Sequence, residues 1–247
     1  MKFRKLYTLT GAGLGFGAPV GAFLLRWMMG FPSEGEFGAH FFFYVYMGIS
    51  TVVVFSGFGF LLGHHADIID RQKKEFHELS IRDALTGAYN RRYFYEFLDR
   101  EFTRTSRYNL ELSMAVLDFD NFKTYNDRYG HVCGDEILRR TASLIQSRIR
   151  EADLFARTGG EEFALLLPET DLSSALTFME LIRQAVEKLE VPYNEAVMTA
   201  TVTIGVSSFQ TSRPVSPPQL FARADSAMYQ GKRAGKNCVR AFERENS

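Results

Sequence analysis

Two adjacent carboxylates, Glu161 and Glu162, follow the glycine pair Gly159-Gly160 between the apolar runs Asp153-Leu-Phe-Ala-Arg157 and Ala164-Leu-Leu-Leu167. Glycines joining two such runs predict a tight β-hairpin whose primed turn takes positive φ at both centres. Taken alone, the pentapeptide is a plain hairpin with solvated acids after it. A second acidic segment changes the balance. Upstream, Ala115-Val-Leu-Asp118-Phe-Asp120 is an apolar strand ending in two carboxylates at alternate positions, expected to point to opposite faces. With that strand beside the hairpin, Asp118 and the hairpin acids converge. Oxygen ligands from two segments, next to a glycine turn where a substrate can approach the main chain, form a site for Mg²⁺ held against phosphate.

The rest of the chain must supply the frame. At 247 residues it has room for one ordinary domain and an appendage. Its 29 basic and 29 acidic side chains cancel, so bulk charge gives no argument for a nucleic-acid partner. Cys133 and Cys238 are the only cysteines, and a reducing compartment for the soluble part is the simplest inference.

The appendage comes first. Leu6 to Leu25 has no charged residue, and Phe37 to Gly63 has none apart from His40; each run reaches the roughly 20 apolar residues that cross a hydrocarbon layer. A cleavable signal peptide is the rival for the first run, but Arg26 and Trp27 stand where small residues would be needed. Glycines 11, 13, 15, 17 and 21 include four-residue spacings that let membrane helices approach closely. A phosphate loop would need a following Lys-Ser or Lys-Thr pair, which is absent. Lys2, Arg4 and Lys5 precede the first span and Arg71, Lys73 and Lys74 follow the second, with Glu34 and Glu36 in the short loop between. The positive-inside rule puts both ends in the cytoplasm. His64 and His65 at the inner boundary read as interfacial polarity rather than metal or haem ligands. From 64 to 82 the pattern is that of a helical linker, with Ile69, Phe76 and Leu79 at heptad-compatible positions and a coiled coil no better supported than a plain connecting helix.

From about residue 83 to 243 strands alternate with amphipathic helices, as in an α/β (α+β) domain. Strands are predicted over Ser113–Asp118, Leu154–Arg157, Glu162–Leu167, Ala200–Ser207 and Cys238–Phe242, and helices over Arg91–Ser106, Asp135–Arg150, Leu172–Leu189 and Pro218–Ala234. That order matches a ferredoxin-like core with additions.

Asp83-Ala-Leu-Thr-Gly-Ala-Tyr-Asn-Arg91, Asp118-Phe-Asp-Asn-Phe-Lys-Thr-Tyr-Asn126-Asp, Gly130-His131, Gly134-Asp135, Arg157-Thr-Gly-Gly-Glu-Glu-Phe163, Ala224-Asp-Ser-Ala-Met-Tyr229, Lys232 and Gly235-Lys-Asn237 follow one another in order. Together they resemble the GGDEF family of diguanylate cyclases. The resemblance implies a nucleotidyl-cyclase core in which Asp118, the Phe119 carbonyl and a hairpin acid hold Mg²⁺, with Mn²⁺ as a substitute. Which of Glu161 and Glu162 ligates metal and which takes the proton stays open. It further implies GTP as substrate, with Asn126 and Asp135 at the guanine edge, His131 nearby, the nucleotide against Gly159 and Gly160, and Lys232 and Lys236 on the triphosphate. The blander alternative for Asp135 is a helix N-cap, and for the lysines a solvated helix end. At 236 the family more often carries arginine. Arg150-Glu-Ala-Asp153 is similar to the family's inhibitory site for product, the alternative being a surface turn; its auxiliary arginine is missing at Leu181, with Arg183 close by.

The resulting expectation is a membrane-anchored homodimer at the bacterial inner membrane, with its catalytic domain in the cytoplasm. It would condense two GTP into cyclic di-GMP and two pyrophosphates, and feedback would act through Arg150 and Asp153. A nucleotide or cyclic di-GMP receptor, or a protein that chiefly recruits a partner, are the alternatives.

Overall fold

The computed structural model describes residues 2–30, 41–193 and 196–243. It divides into two compact units, Met1–Glu78 and Leu79–Ser247. In the first, α1 (Lys2–Met28) meets the long α2 (Phe41–Ile81). Parts of both, Phe3–Met28 and Phe41–Lys73, are long and apolar enough to cross a membrane, and little of either is buried within the protein. Glutamates 34 and 36 lie outside the described residues. The glycine spacing does what helix packing requires. A Cβ on Gly15 would lie 2.6 Å from the Val52 Cα, and one on Gly11 would strike the Phe55 carbonyl; the Thr51 hydroxyl donates to the Gly15 carbonyl at 2.8 Å. Gly13, Gly17 and Gly21 meet nothing within 4 Å. The helix of the second span continues without a break through the linker region.

The second unit is a six-stranded sheet with helices on both faces. Its strands are β1 (Tyr89–Asn90), β2 (Leu112–Phe119), β3 (Leu154–Arg157), β4 (Glu162–Pro168), β7 (Val202–Ser208) and β8 (Val239–Ala241), in the spatial order β1-β3-β4-β2-β7-β8. The inner four are antiparallel neighbours, and β1 and β8 add to the edges in parallel. This is the β-α-β-β-α-β arrangement expected, with two edge additions. Alternation along β2 sends Leu112, Met114 and Val116 to one core and Ala115, Leu117 and Phe119 to the other. The first core is covered by α3 (Arg91–Tyr108) and α8 (Pro217–Arg233), the second by α5 (His131–Gln146) and α6 (Leu172–Glu187). Gly205 of β7 sets the distance of α8 from the sheet, because a Cβ there would collide with the Ala224 carbonyl and the Met228 amide.

Five described elements have no counterpart in the sequence-based prediction: the short edge strand β1, α4 (Phe122–Tyr129), the two strands of the hairpin of β5 (Val191–Tyr193) with β6 (Ala196–Met198), and the single turn α7 (Phe209–Ser212). The helix expected from Asp135 instead begins at His131 and ends at Gln146. Gly130, at φ +85°, breaks the chain between α4 and α5. Asp135 therefore sits inside the helix and caps nothing, contrary to the blander reading of that residue.

Candidate active site

The acids meet through strand register. Asp118 is paired with Glu162 across β2 and β4, and directly opposed residues share a face. Both carboxylates stand on the α8 side, one step beyond the apolar pair Val116 and Ala164. Glu161 is the last residue of the connecting turn. Burial pushes all three carboxyls above their ordinary range, and the charge of Asp118 pushes Glu161 and Glu162 further. Such acids repel one another without a cation among them.

The connecting turn differs from the one expected. The amides of Thr158 and Gly159 both donate to the Glu162 carbonyl, at 3.0 and 3.3 Å, so the strands are joined through residues 158–161. Neither Gly159 nor Gly160 takes a left-handed φ, and the primed two-residue turn does not form. A Cβ on Gly159 would lie 2.5 Å from Glu162 Oε2, the mobile end of that side chain, and one on Gly160 would meet nothing within 4 Å. Arg157 fixes the turn from below. Its Nε and Nη2 donate to the Gly160 carbonyl at 3.1 and 2.6 Å, and its Nη1 donates to Asp83 Oδ1 at 3.1 Å. Asp83 also accepts from the Thr86 amide and hydroxyl at 2.9 and 2.7 Å. Burial pushes the Asp83 carboxyl up, but these bonds and Arg157 outweigh it and hold the carboxyl below its usual value.

Asp118 and Asp120 do not diverge. Residues two apart on an extended chain face the same way, and the Lys232 ammonium bonds Asp118 Oδ1 while lying 3.1 Å from Asp120 Oδ1. It also donates to the Phe119 carbonyl at 2.6 Å. Lys232 thus rests on the two atoms that the sequence nominated as metal ligands. Asp120, absent from the sequence-derived site, is the better-fixed acid: its side chain is 2% exposed. It accepts from the hydroxyls of Thr203 and Thr201 at 2.7 and 2.8 Å and from the Asn237 amide at 3.0 Å. Burial opposes its ionisation, yet these donors and Lys232 hold its carboxyl below the usual range. The signal was there: Asp120 alternates with Asp118, and Thr201 with Thr203.

Among the described residues no three His, Cys, Asp or Glu side chains gather closely enough to hold an ion as they stand. The donor set still suits a hard cation, for it consists of carboxylate and carbonyl oxygens already gripping a positive charge.

Beyond the β2 end, Asn126 on α4 keeps its Oδ1 buried with no partner. Gly134 on α5 lies against it, and a Cβ at 134 would collide with that oxygen. Buried polar atoms are as a rule hydrogen-bonded, so this oxygen is an exception, shared among the described residues with the Thr141 and Thr158 hydroxyls. His131 and Asp135 are exposed on the first turns of α5. Lys236 follows Gly235 in a turn where residues 235, 236 and 237 all have positive φ, and its ammonium bonds Asn121 Oδ1.

Arg150 and Asp153 lie apart from this group. They form a turn in which the Arg150 amide donates to Asp153 Oδ2 at 2.9 Å, as the plain surface-turn reading requires. They also border a cleft of about 370 Å³ with Tyr89, Tyr93, Phe97 and Arg104. Burial pushes the Asp153 carboxyl up. Arg183 is not at hand to assist, since Glu180, Glu187 and Asn237 take its guanidinium at 2.7, 2.9 and 2.7 Å.

Residues 80–238, well over half of the chain, match the model of the diguanylate cyclase GGDEF domain. The chain belongs to the GGDEF family. Its GGDEF region is 36% identical over 173 residues to diguanylate cyclase DgcP of Pseudomonas aeruginosa, covering 70% of this chain and 25% of that protein. Among solved structures it is similar to the GGDEF domain of DgcB from Caulobacter crescentus in complex with c-di-GMP, with 34% identity, a TM-score of 0.63, and coverage of 67% of this chain and 94% of that one. It is also similar to the active GGEEF domain of a diguanylate cyclase from Vibrio cholerae, with 34% identity, a TM-score of 0.59, and coverage of 63% and 98%. The chain spans from a quarter to about half the length of the curated relatives it matches. The GGDEF sheet is thus the frame on which Asp118, Glu161 and Glu162 are mounted.

Proposed function

We propose that this GGDEF protein is a diguanylate cyclase that condenses two GTP into cyclic di-GMP and two pyrophosphates. The observation that carries the reading is the pairing of Asp118 with Glu162 across β2 and β4, with the Phe119 carbonyl next to them and the glycine turn alongside. The GGEEF domain from Vibrio cholerae is described as active with glutamate at the third motif position, where this chain has Glu161. Each 3′-hydroxyl attacks the α-phosphate of the other nucleotide, a P–O bond forms, and pyrophosphate leaves. A divalent cation, Mg²⁺ or in its place Mn²⁺, held by Asp118, the Phe119 carbonyl and a hairpin acid, would neutralise the phosphoryl oxygens and lower the pKa of the hydroxyl. The other hairpin carboxylate takes the hydroxyl proton as general base. Asn126, with its unpartnered oxygen, and Asp135 face the guanine N–H groups, with His131 nearby. Gly159 and Gly160 admit the phosphates, and Lys232 and Lys236 counter their charge.

One domain holds one GTP, so the reaction requires two copies with their sites face to face. The apolar helices α1 and α2 support anchoring at the bacterial inner membrane, which would concentrate and align a homodimer with the catalytic domain on the cytoplasmic side. Arg150 and Asp153, at the edge of an aromatic-lined cleft, suit a bound cyclic dinucleotide, as in the family's inhibitory site. The test is product analysis of the full chain in detergent with GTP and Mg²⁺, beside Asp118→Ala. Cyclic di-GMP from the first and essentially none from the second is expected. GTP binding by the unaltered chain without pyrophosphate release would overturn the enzyme reading in favour of a receptor.

A further inference from the structure

We infer that Lys232 is an internal cation that holds the acidic site together before nucleotide arrives, and that a divalent ion entering the site must displace it. The inference rests on the metal site proposed above and adds a competitor to it. The Lys232 ammonium bonds Asp118 Oδ1 and donates to the Phe119 carbonyl at 2.6 Å, leaving that carboxylate oxygen and carbonyl to one occupant at a time. Lys232 is the side-chain donor that Asp118 Oδ1 and the Phe119 carbonyl share, whereas Asp120, 3.1 Å from the same ammonium, keeps three other donors when Lys232 leaves. Departure therefore frees the Asp118 and Phe119 oxygens and leaves Asp120 satisfied.

The geometry also says what moves. Lys232 is in the last turn of α8. Just before it, Gly231 brings the helix so close to the sheet that a Cβ would lie 2.7 Å from Thr203 Cγ2. The helix end is seated, and the motion belongs to the flexible four-carbon stem of the lysine. Its side chain is 19% exposed, so the ammonium has a way out. A triphosphate gives the displaced ammonium a new anion, so metal and nucleotide each strengthen the other's binding, as linkage demands. Without nucleotide, the metal must evict Lys232 with nothing offered in exchange.

The experiment uses the full chain in detergent without nucleotide and measures Mn²⁺ binding by electron paramagnetic resonance. Lys232→Met is expected to tighten Mn²⁺ binding about tenfold over the unaltered chain, and Asp118→Asn in either background to remove it. Equal or weaker binding by Lys232→Met, with the Asp118 dependence intact, overturns the competition and leaves the metal site standing. No Asp118-dependent binding in any form overturns both. Should Lys232→Met fail to fold, reductive methylation of Lys232 in the unaltered chain, quantified by mass spectrometry, decides the matter. Mn²⁺ alone should raise its rate several-fold if the ammonium is released. An unchanged rate while Mn²⁺ is bound through Asp118 overturns the inference.

Discussion

Asp120 should be the most costly acid of the site to alter, although it is not one of the residues proposed to touch metal or substrate. Its side chain is 2% exposed and joins three segments: the Thr201 and Thr203 hydroxyls of the β7 stretch, the Asn237 amide of the turn after α8, and Lys232. In Asp120→Asn one oxygen becomes an NH₂ group. If the remaining oxygen serves Thr201 and the Asn237 N–H, the NH₂ group faces the Thr203 hydroxyl, which can rotate to accept, and the Lys232 ammonium, which cannot; turned the other way, the Asn237 N–H is the donor left facing a donor. An orphaned buried donor costs about 1–3 kcal/mol, and Lys232 loses one of its two carboxylate partners as well. Asp120→Ala removes every acceptor at once and falls in the range of about 3–5 kcal/mol for breaking a buried charge pair. For a unit of this size each kcal/mol lowers the melting temperature by about 2–4 °C. About 3 kcal/mol thus predicts a fall of roughly 6–12 °C for the alanine variant, and a smaller one for asparagine. Thermal unfolding of the full chain in detergent, followed by circular dichroism without nucleotide, reads this directly. An alanine variant that melts within 2 °C of the parent would show that the Thr201, Thr203 and Asn237 contacts do not hold the segments together.

Gly205→Ala is expected to destabilise through contact rather than charge. Its Cβ meets backbone atoms of α8 at Ala224 and Met228, which cannot swing away as a side chain can, so a loss of about 3 kcal/mol or insoluble expression is expected; a parent-like urea midpoint would contradict it. Asp83→Asn tests the clamp beneath the glycine turn by pH. The Asp83 carboxyl is held below its ordinary value of 3.8, so its contribution to stability is complete above that value and disappears as pH falls through the lower, folded-state value. Parent and variant should therefore differ in urea stability at neutral pH by a constant amount that narrows only below about 3.8; a gap already closing between pH 7 and 5 would refute the assignment.

Periodicity made the sheet legible. The strand over Leu154–Arg157 has the predicted bounds, and Glu162–Pro168 extends its prediction by one residue, because apolar runs between turn residues have few other uses. α4 escaped because Phe122–Tyr129 buries only Phe122, too little for a helical stripe, and Gly130 then hides the start of α5. The β5–β6 hairpin was missed because each strand has three residues, too few for alternation to register. In the site, motif spacing brought Asp118 and the hairpin acids together, but it could not show that neither glycine takes a positive φ or that only Gly159 lies against a neighbour, the Glu162 side chain. Nor could it show that Lys232 lies on Asp118. That contact joins residues 114 apart in the chain, and nothing local in either segment encodes it.

Two kinds of support meet at this site, and they assign different tasks to its charges. Asp118 and Glu162 are fixed by strand register, Asp120 by three donors, and the Gly160 carbonyl by Arg157. The backbones of Asp118 and Glu162 cannot move without breaking the sheet, nor can the Asp120 side chain or the Gly160 carbonyl without breaking hydrogen bonds. Lys232 and Lys236 end in flexible stems, each holding an oxygen that a ligand could claim, on Asp118 and on Asn121. A rigid negative frame with mobile positive ends can pass from lysine to divalent ion and phosphate while its backbone stays in place. In the cyclase reaction proposed above this would favour catalysis, because a preorganised site spends little on reorganisation when charge develops. The acids are therefore the part of the site where small displacements should matter most, and the lysines the part that should tolerate them.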